Sequence, residues 1–478
     1  MKIHIVRAAI LALLAGCSGA QVTPGPISER GAADTTPRDQ TFPPPIQWRE
    51  ASLNSFDFTD GAYNTYAGLV FDAAGNLYGT TQFGGETICD YIAGCGVVFE
   101  LMRAASGRWQ EKVLHRFSQC DSLGFWPRAG LTIDAKGNLY GTTDWGGPYC
   151  DGVGPGAVYE LSPHSGGQWT ESVVYQFKGG VDGSGPQAAL TLDALGDLYG
   201  TTSEGGHNDN GTVFELTRQS NGKWLETILH FFKGDEGNGP ASKLTFDKAG
   251  DLYGTTGFGG AYRSACGIYG CGTAFQLKRG ANGLWTLKVL HRFGKAVDGA
   301  FPDSTLTVDS AGNLFGVAAQ GGPRGSLVPR GCLTSGCGTV FKLSRHHDKW
   351  TEQTIHGFGS ATDGNLPRGD LLLSGGALYG TTVLGGLYGN GTAFRLTPHA
   401  GKWEEQVLHD FGNGRDGSLP YTGMIFDQAH NLYGTTDDGG AYQAALCRKS
   451  HGCGTVFELS SARARLLHAS YNLPFTQP

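Results

Sequence analysis

Five histidines recur at one position of a repeated phrase, and imidazoles at regular spacing raise the question of metal binding or acid–base chemistry. They are His115, His230, His291, His356 and His409, each near the end of a stretch of the form Trp-x-x-x-Val-Leu-His-x-Phe. A general acid or base must lie within reach of a reacting atom, so geometry decides before pKa does. One histidine on the last strand of each repeat spreads the copies around a rim and does not gather them. These histidines therefore read as structural, seated between neighbouring units. Two carboxylate patterns accompany them. Turns like Asp72-Ala73-Ala74-Gly75-Asn76 begin at Asp72, Asp134, Asp193, Asp247, Asp309 and Asp427, and Asp–Gly steps occur at Asp60, Asp182, Asp298, Asp363 and Asp416. Calcium needs about six to eight oxygens at one place, whereas each turn offers one carboxylate, ordinarily spent on its own backbone amides. The Asp–Gly steps are equally turn chemistry. No metal and no cofactor is expected. Gly-x-Ser-x-Gly, His-Glu-x-x-His, phosphate-loop and dinucleotide motifs are absent from the sequence.

Eleven cysteines carry the next possible chemistry. Cys17 closes Leu14-Ala15-Gly16-Cys17, after Lys2, Arg7 and an apolar stretch from Ala8 to Leu14. That is a secretory signal too short to span a bilayer, and the four residues resemble a bacterial lipobox, in which the cysteine carries lipid. Ser18 follows it, where an Asp would mark retention at the inner membrane; in a Gram-negative host the expected location is the outer membrane or cell surface. Cys89 with Cys95, Cys266 with Cys271, Cys332 with Cys337 and Cys447 with Cys453 fall as close pairs, leaving Cys120 and Cys150 for each other. Exported chains with an even cysteine count form bridges. Spacings of five or six residues do not match a Cys-x-x-Cys zinc knuckle.

The elements that position these residues are repeats. Leu-Tyr-Gly-Thr-Thr recurs with its aromatic at Tyr78, Tyr140, Tyr199, Tyr253, Phe315, Tyr379 and Tyr433, at steps of 54 to 64 residues. Gly-Thr-Val-Phe-x-Leu recurs at Phe99, Tyr159, Phe214, Phe275, Phe341, Phe394 and Phe457, and the Trp phrase begins at Trp48, Trp109, Trp169, Trp224, Trp285, Trp350 and Trp403. Leu-Thr-x-Asp precedes each Tyr phrase except in the sixth copy, which reads Leu373-Ser374-Gly375-Gly376. Short β-branched and aromatic runs bounded by Gly, Asn, Asp and Pro are strands joined by turns. Four antiparallel strands per repeat, seven times, predict an all-β, seven-bladed β-propeller. The tryptophan opens an outer strand and reads as a packing residue.

The Trp phrase has its extra copy at the front, so the chain enters on a fourth strand. Pairing of that strand with the last blade would close the ring and remove exposed edges. Leu466-Leu467-His468 is a weaker candidate for the same slot. The parts expected are the signal and lipobox at 1–17, a Pro/Ser/Thr-rich tether at 18–47, the propeller at 48–471 and a tail at 472–478.

In such blades the loop between second and third strands shares a face with the connection to the next blade. Only that loop varies much in length, from nine residues between Thr202 and Gly211 to twenty between Ala318 and Gly338. Either this is a binding face on a rigid scaffold, or its loops simply tolerate insertion. Candidate binding residues there are Trp126, Trp145, Tyr149, His207, Tyr262 and Tyr388. Glycine, at 78 of 478 residues, follows the repeat phase and is not low complexity. A net charge of −7 without any Lys/Arg run excludes the basic patch that nucleic-acid binding requires.

The pattern Gly-Asn-Leu-Tyr-Gly-Thr-Thr…Gly-Gly…Gly-Thr-Val-Phe-x-Leu resembles the GloVer tandem repeat of bacterial "choice-of-anchor" proteins, over residues 48 to about 460. Blade five departs from it at Phe315-Gly316-Val317-Ala318. The chain ends near Leu473-Pro474-Phe475 without a sorting segment, so the lipobox is expected to serve as the anchor. The resemblance implies surface display and no established reaction. Two functions are expected to compete: a tethered, monomeric, non-enzymatic module for a glycan or protein ligand, or a propeller hydrolase or lyase acting on a polysaccharide or small exported substrate.

Overall fold

The computed structural model describes residues 47–63, 67–85, 88–89, 92–119, 121–147, 154–261, 266–295, 297–322, 336–359, 363–441, 447 and 452–461. Cys17, the tether and Leu466-Leu467-His468 lie outside them. Each repeat folds into one antiparallel sheet, and seven such sheets form a β-propeller. Blade one is built from Val70–Phe71, Leu77–Thr81, Val97–Arg103 and Trp109–Arg116, paired in that order. The last blade consists of Ile425–Phe426, Leu432–Thr436, Thr455–Ser461 and, as its fourth strand, Trp48–Ser55. The closing pair runs from Trp48 opposite Ser461 to Ser55 opposite Thr455. Thr435 Oγ1 also donates to the Ala67 carbonyl at 3.2 Å, tying the last blade to the first.

The turns form as the sequence requires. Asp72 Oδ1 accepts the backbone N–H groups of Ala74 and Asn76, both at 2.8 Å, and Oδ2 accepts from Asn76 Nδ2 at 2.9 Å and the Tyr78 hydroxyl at 3.1 Å. This carboxylate replaces backbone partners that a tight turn leaves unsatisfied. The aberrant sixth copy makes its turn with Gly375 and Gly376, whose φ values of 58° and 79° suit a two-residue hairpin. The glycine of Leu-Tyr-Gly-Thr-Thr is there for a different reason. Gly79 lies opposite Phe99, and a Cβ on it would sit 2.5 Å from the Phe99 ring.

The core lies between blades. Second-strand aromatics pack edge-on against a fourth-strand tryptophan from the following blade: Tyr78 against Trp169 at 5.9 Å, Tyr140 against Trp224 at 6.2 Å and Phe315 against Trp403 at 6.0 Å. Trp48 packs against the cluster that holds Tyr379, and across the closure Trp109 meets Tyr433 edge-on at 6.2 Å. Third-strand phenylalanines meet edge-on the residue that follows the preceding blade's fourth strand, as Phe99 meets Phe56 at 5.2 Å. The tryptophans are thus packing residues.

Connections and long loops share one face. Bridges such as Phe125–Trp145, Ser184–Glu204, Asn238–Phe258 and Ala300–Gln320 pair each connection with the end of the following second strand. In blades six and seven the bridge lengthens into short strand pairs, Gly364–Pro367 with Ala377–Gly385 and Gly417–Ser418 with Asp438–Gly439. Their glycine-rich sequence carries no alternating signal and hides them from a pattern reading. Helix among the described residues is confined to single turns such as Gly180–Asp182 and Gly267–Tyr269.

Candidate binding groove and blade junctions

Each junction between blades assembles polar side chains by one device. The pairing of third and fourth strands slips at the same point in every blade, for example between Val98 and Phe99, where Leu114 is left unopposed. A bulge of this kind re-aims the neighbouring side chain. Here His115 Nε2 reaches Asp121 Oδ2 at 2.7 Å and His115 Nδ1 reaches Glu171 Oε1, on the next blade, at 2.8 Å. Burial alone would lower the His115 pKa, but the two carboxylates outweigh it and hold the imidazole above its ordinary range.

The same three positions recur around the ring with variations. Asn54 Nδ2 donates to Glu111 Oε2 at 2.6 Å, and burial, reinforced by Asp60, pushes Glu111 up to about 9. The Tyr175 hydroxyl donates to Asp182 at 2.7 Å, and burial lifts Glu226 to about 7. His291 and His409 contact Asp298 and Asp416, each at 3.0 Å. Burial lifts Glu50, near His409, to about 7. His230 contacts Glu236 at 3.3 Å, and burial lowers its pKa; its next-blade position is Leu287. His356 stands apart, 4.0 Å from Asp363 and 3.6 Å from Glu405.

The histidines therefore sit between blades, as their spacing indicated. The glutamates beside them were missed. Their signal was present as Trp-x-Glu at Glu50, Glu111, Glu171, Glu226, Glu352 and Glu405, but each partner belongs to another repeat. The Asp–Gly aspartates do both jobs: Asp298 Oδ1 accepts the Gly294 N–H at 3.1 Å while Oδ2 faces His291.

On the loop face, blades three and four enclose a groove of about 480 Å3. Asn208 and Asn210 come from the long loop of blade three, Lys233 and Asn238 from the connection, and Ile268 and Tyr269 from the long loop of blade four. The Cys266–Cys271 disulfide brackets the single helical turn Gly267–Tyr269. That clasp holds Ile268 79% and Tyr269 37% exposed. Backbone bonds fix the rest: Gly239 N–H donates to the Asn210 carbonyl at 3.1 Å and Gly260 N–H to the Gly234 carbonyl at 2.9 Å. Lys233 and Tyr269 are the ionisable side chains in the lining.

The candidate binding residues have different fates. Trp126 is a correction: only 8% exposed, it packs among Phe83, Phe125 and Trp145 as core, because the connection turns it inward at a φ of 60°. Trp145 is half-buried beside it. His207 is exposed and lies against the Phe231 ring at 4.3 Å, next to the groove's Asn208. Tyr388 is exposed in blade six. Tyr149 and Tyr262 lie outside the described residues. Cys89–Cys95 and Cys447–Cys453 are bonded like Cys266–Cys271. Cys337 is also disulfide-bonded; its expected partner Cys332 lies outside the described residues, as do Cys120 and Cys150.

Near the ring axis, one position precedes the apolar residue of each first strand: Gly68, Gly130, Ala189, Lys243, Thr305, Asp370 and Gly423. Neighbouring copies nearly touch there, since a Cβ on Gly130 would lie 2.9 Å from Gly68. Asp370 Oδ1 accepts the Thr305 N–H at 2.8 Å. Burial lowers the Lys243 pKa, with Asp370 opposing the shift.

Similar structures include an ulvan lyase of polysaccharide lyase family PL25, 12% identical, with 89% of this chain and 100% of that chain covered at a TM-score of 0.50. A Dyadobacter fermentans protein of unknown function is 9% identical over 87% of this chain and 98% of its own, TM-score 0.44. A Lactobacillus plantarum protein is 13% identical over 75% and 94%, TM-score 0.46. At such identities the likeness concerns the fold alone. No curated protein matches the sequence. The repeat itself is matched at residues 46–264, 153–328 and 328–473, and by that match the chain belongs to the Gloeobacter/Verrucomicrobia repeat family.

Proposed function

We propose that the protein is a glycan-binding module, exported and held at the membrane by lipid on Cys17. The groove between blades three and four carries this reading. Three amides, Asn208, Asn210 and Asn238, offer donors and acceptors together, the pairing that sugar hydroxyls need. Tyr269 presents a ring with a polar tip, suited to packing against the C–H face of a sugar. Acid–base catalysis draws most often on imidazoles and carboxylates, and the groove's lining pairs its ammonium and phenol with neither.

A glycan array probed with soluble protein lacking residues 1–21 tests the reading. Binding to a defined glycan class, weakened about tenfold or more by Tyr269→Ala and by Asn238→Ala, is the expected outcome. Binding that ignores both substitutions, or that appears only with a protein ligand, would sink it. Radiolabelled palmitate incorporation lost in Cys17→Ala tests the anchor.

Lys243 and Asp370 favour a second reading, a hydrolase or lyase working at the ring axis, because desolvation shifts the Lys243 pKa downward, the direction a lysine base requires, with Asp370 opposing it. Polysaccharide turnover abolished by Lys243→Met and untouched by Tyr269→Ala would select it.

A further inference from the structure

We infer that His356, Asp363 and Glu405, at the junction of blades five and six, form a binding site for one divalent transition-metal ion, zinc by donor set. The three offer an imidazole nitrogen and two carboxylate oxygens, all within 4.8 Å of one another. What singles the junction out is its spacing. At the sibling junctions the corresponding atoms hydrogen-bond directly: 2.7 Å for His115–Asp121, 3.0 Å for His291–Asp298 and 3.0 Å for His409–Asp416. At this one, His356 Nε2 stands 4.0 Å from Asp363 and 3.6 Å from Glu405. Neither separation is a hydrogen bond, and both His356 Nε2 and Glu405 Oε1 are buried atoms without a hydrogen-bond partner.

Such an opening is costly for polar atoms shielded from water, and an ion between them removes the cost. Zinc binds nitrogen and oxygen at about 2.0–2.2 Å in tetrahedral array, so two of its ligands stand ~3.4 Å apart, close to the 3.6 Å between His356 and Glu405. Three donors in that arrangement leave a fourth position for water. Two carboxylates balance the 2+ charge, which suits a half-enclosed site where uncompensated charge is penalised. The backbone supports the arrangement: the bulge between Val340 and Phe341 aims His356, and Gly359 N–H holds Asp363 at 3.2 Å.

The neighbouring trio His291, Asp298 and Glu352 has the same residue types and serves as an internal control. Its histidine is already bonded to Asp298, and Glu352 accepts from the Thr354 hydroxyl at 3.0 Å, so its donors are occupied.

Chelator-treated protein titrated with Zn2+ by calorimetry, and with Co2+ by visible absorption, tests the site. One equivalent should bind. His356→Gln and Glu405→Gln should weaken it at least a hundredfold, while His291→Gln leaves it intact. Zn2+ should also raise the melting temperature of the wild type and of His291→Gln but not that of His356→Gln. If His356→Gln fails to fold, the wild-type Co2+ spectrum decides: ligand-field bands saturating at one equivalent support the site, and their absence overturns it. Zn2+ affinity unchanged in folded His356→Gln, or no saturable binding, also overturns it.

Discussion

His115 Nδ1 lies 2.8 Å from Glu171 Oε1, and the two residues belong to successive blades. Neither strand of the pair is hydrogen-bonded to the other, so this contact works across a seam that is also held by packing such as Tyr78 on Trp169 and by the Thr80 hydroxyl, which donates to the Ala129 carbonyl at 2.9 Å. A ring of blades is as stable as its seams, and the polar trio is one of the devices that bind them, beside threonine hydroxyls such as Thr80 and Thr435 that donate to the adjacent blade.

Removing one such partner should cost little where it is exposed. Glu171 is 45% exposed in its side chain, so Glu171→Gln should lower stability by about 1 kcal/mol. His115→Ala should cost more, about 2–3 kcal/mol, because it also strands the largely buried Asp121. Urea unfolding midpoints at constant slope check both.

The seams also predict a pH dependence. Folding raises Glu50 and Glu226 to about 7 and Glu111 to about 9, from an ordinary value near 4.5. Over that window the folded state keeps protons that the unfolded chain has released, so this contribution is full below 4.5 and is lost as pH rises toward 9. His115, held above its ordinary value, acts in the same direction. His230, held below it, opposes them on the acid side of 6.5. The melting temperature should fall steadily from pH 6.5 to 9, and Glu111→Gln should flatten that fall. A melting temperature rising over the same range would refute the assignment.

A glycine in the repeated Tyr phrase should be intolerant of even a methyl group. Gly79→Ala places Cβ 2.5 Å from the Phe99 ring, and overpacking of this kind costs about 1–3 kcal/mol. Gly257→Ala, where the nearest atom is 3.8 Å away, should cost less than about 1 kcal/mol. Chemical denaturation of the two variants side by side is the measurement.

The Cys266–Cys271 clasp should matter more to ligand than to stability. Its ends are five residues apart, so chain entropy makes the bond worth about 2 kcal/mol at most. The double Cys→Ser variant should remain folded at room temperature yet lose most glycan binding, because Tyr269 is no longer held at the groove. Binding unaffected by the change would move the site elsewhere on the loop face.

The sequence made the frame legible because strand, turn and packing requirements repeat seven times in one register. Even the departures at Gly375-Gly376 and Val317-Ala318 keep the strand geometry. The sites were less legible, since each is assembled from different repeats. Glu405 meets His356 across a blade junction, and Asn210, Asn238 and Tyr269 meet only where two blades lie side by side. Trp126 was misread because burial of a loop tryptophan depends on the connection's turn, which composition does not reveal.

Closure of the ring by its first strand is the claim on which the seams, the shared loop face and the groove all depend. Hydrogen–deuterium exchange followed by proteolysis measures it directly. The peptide spanning Trp48–Ser55 should exchange as slowly as the one spanning Trp109–Arg116, its counterpart in blade one. Exchange of Trp48–Ser55 at the rate of an unstructured chain, with Trp109–Arg116 protected, would contradict the account.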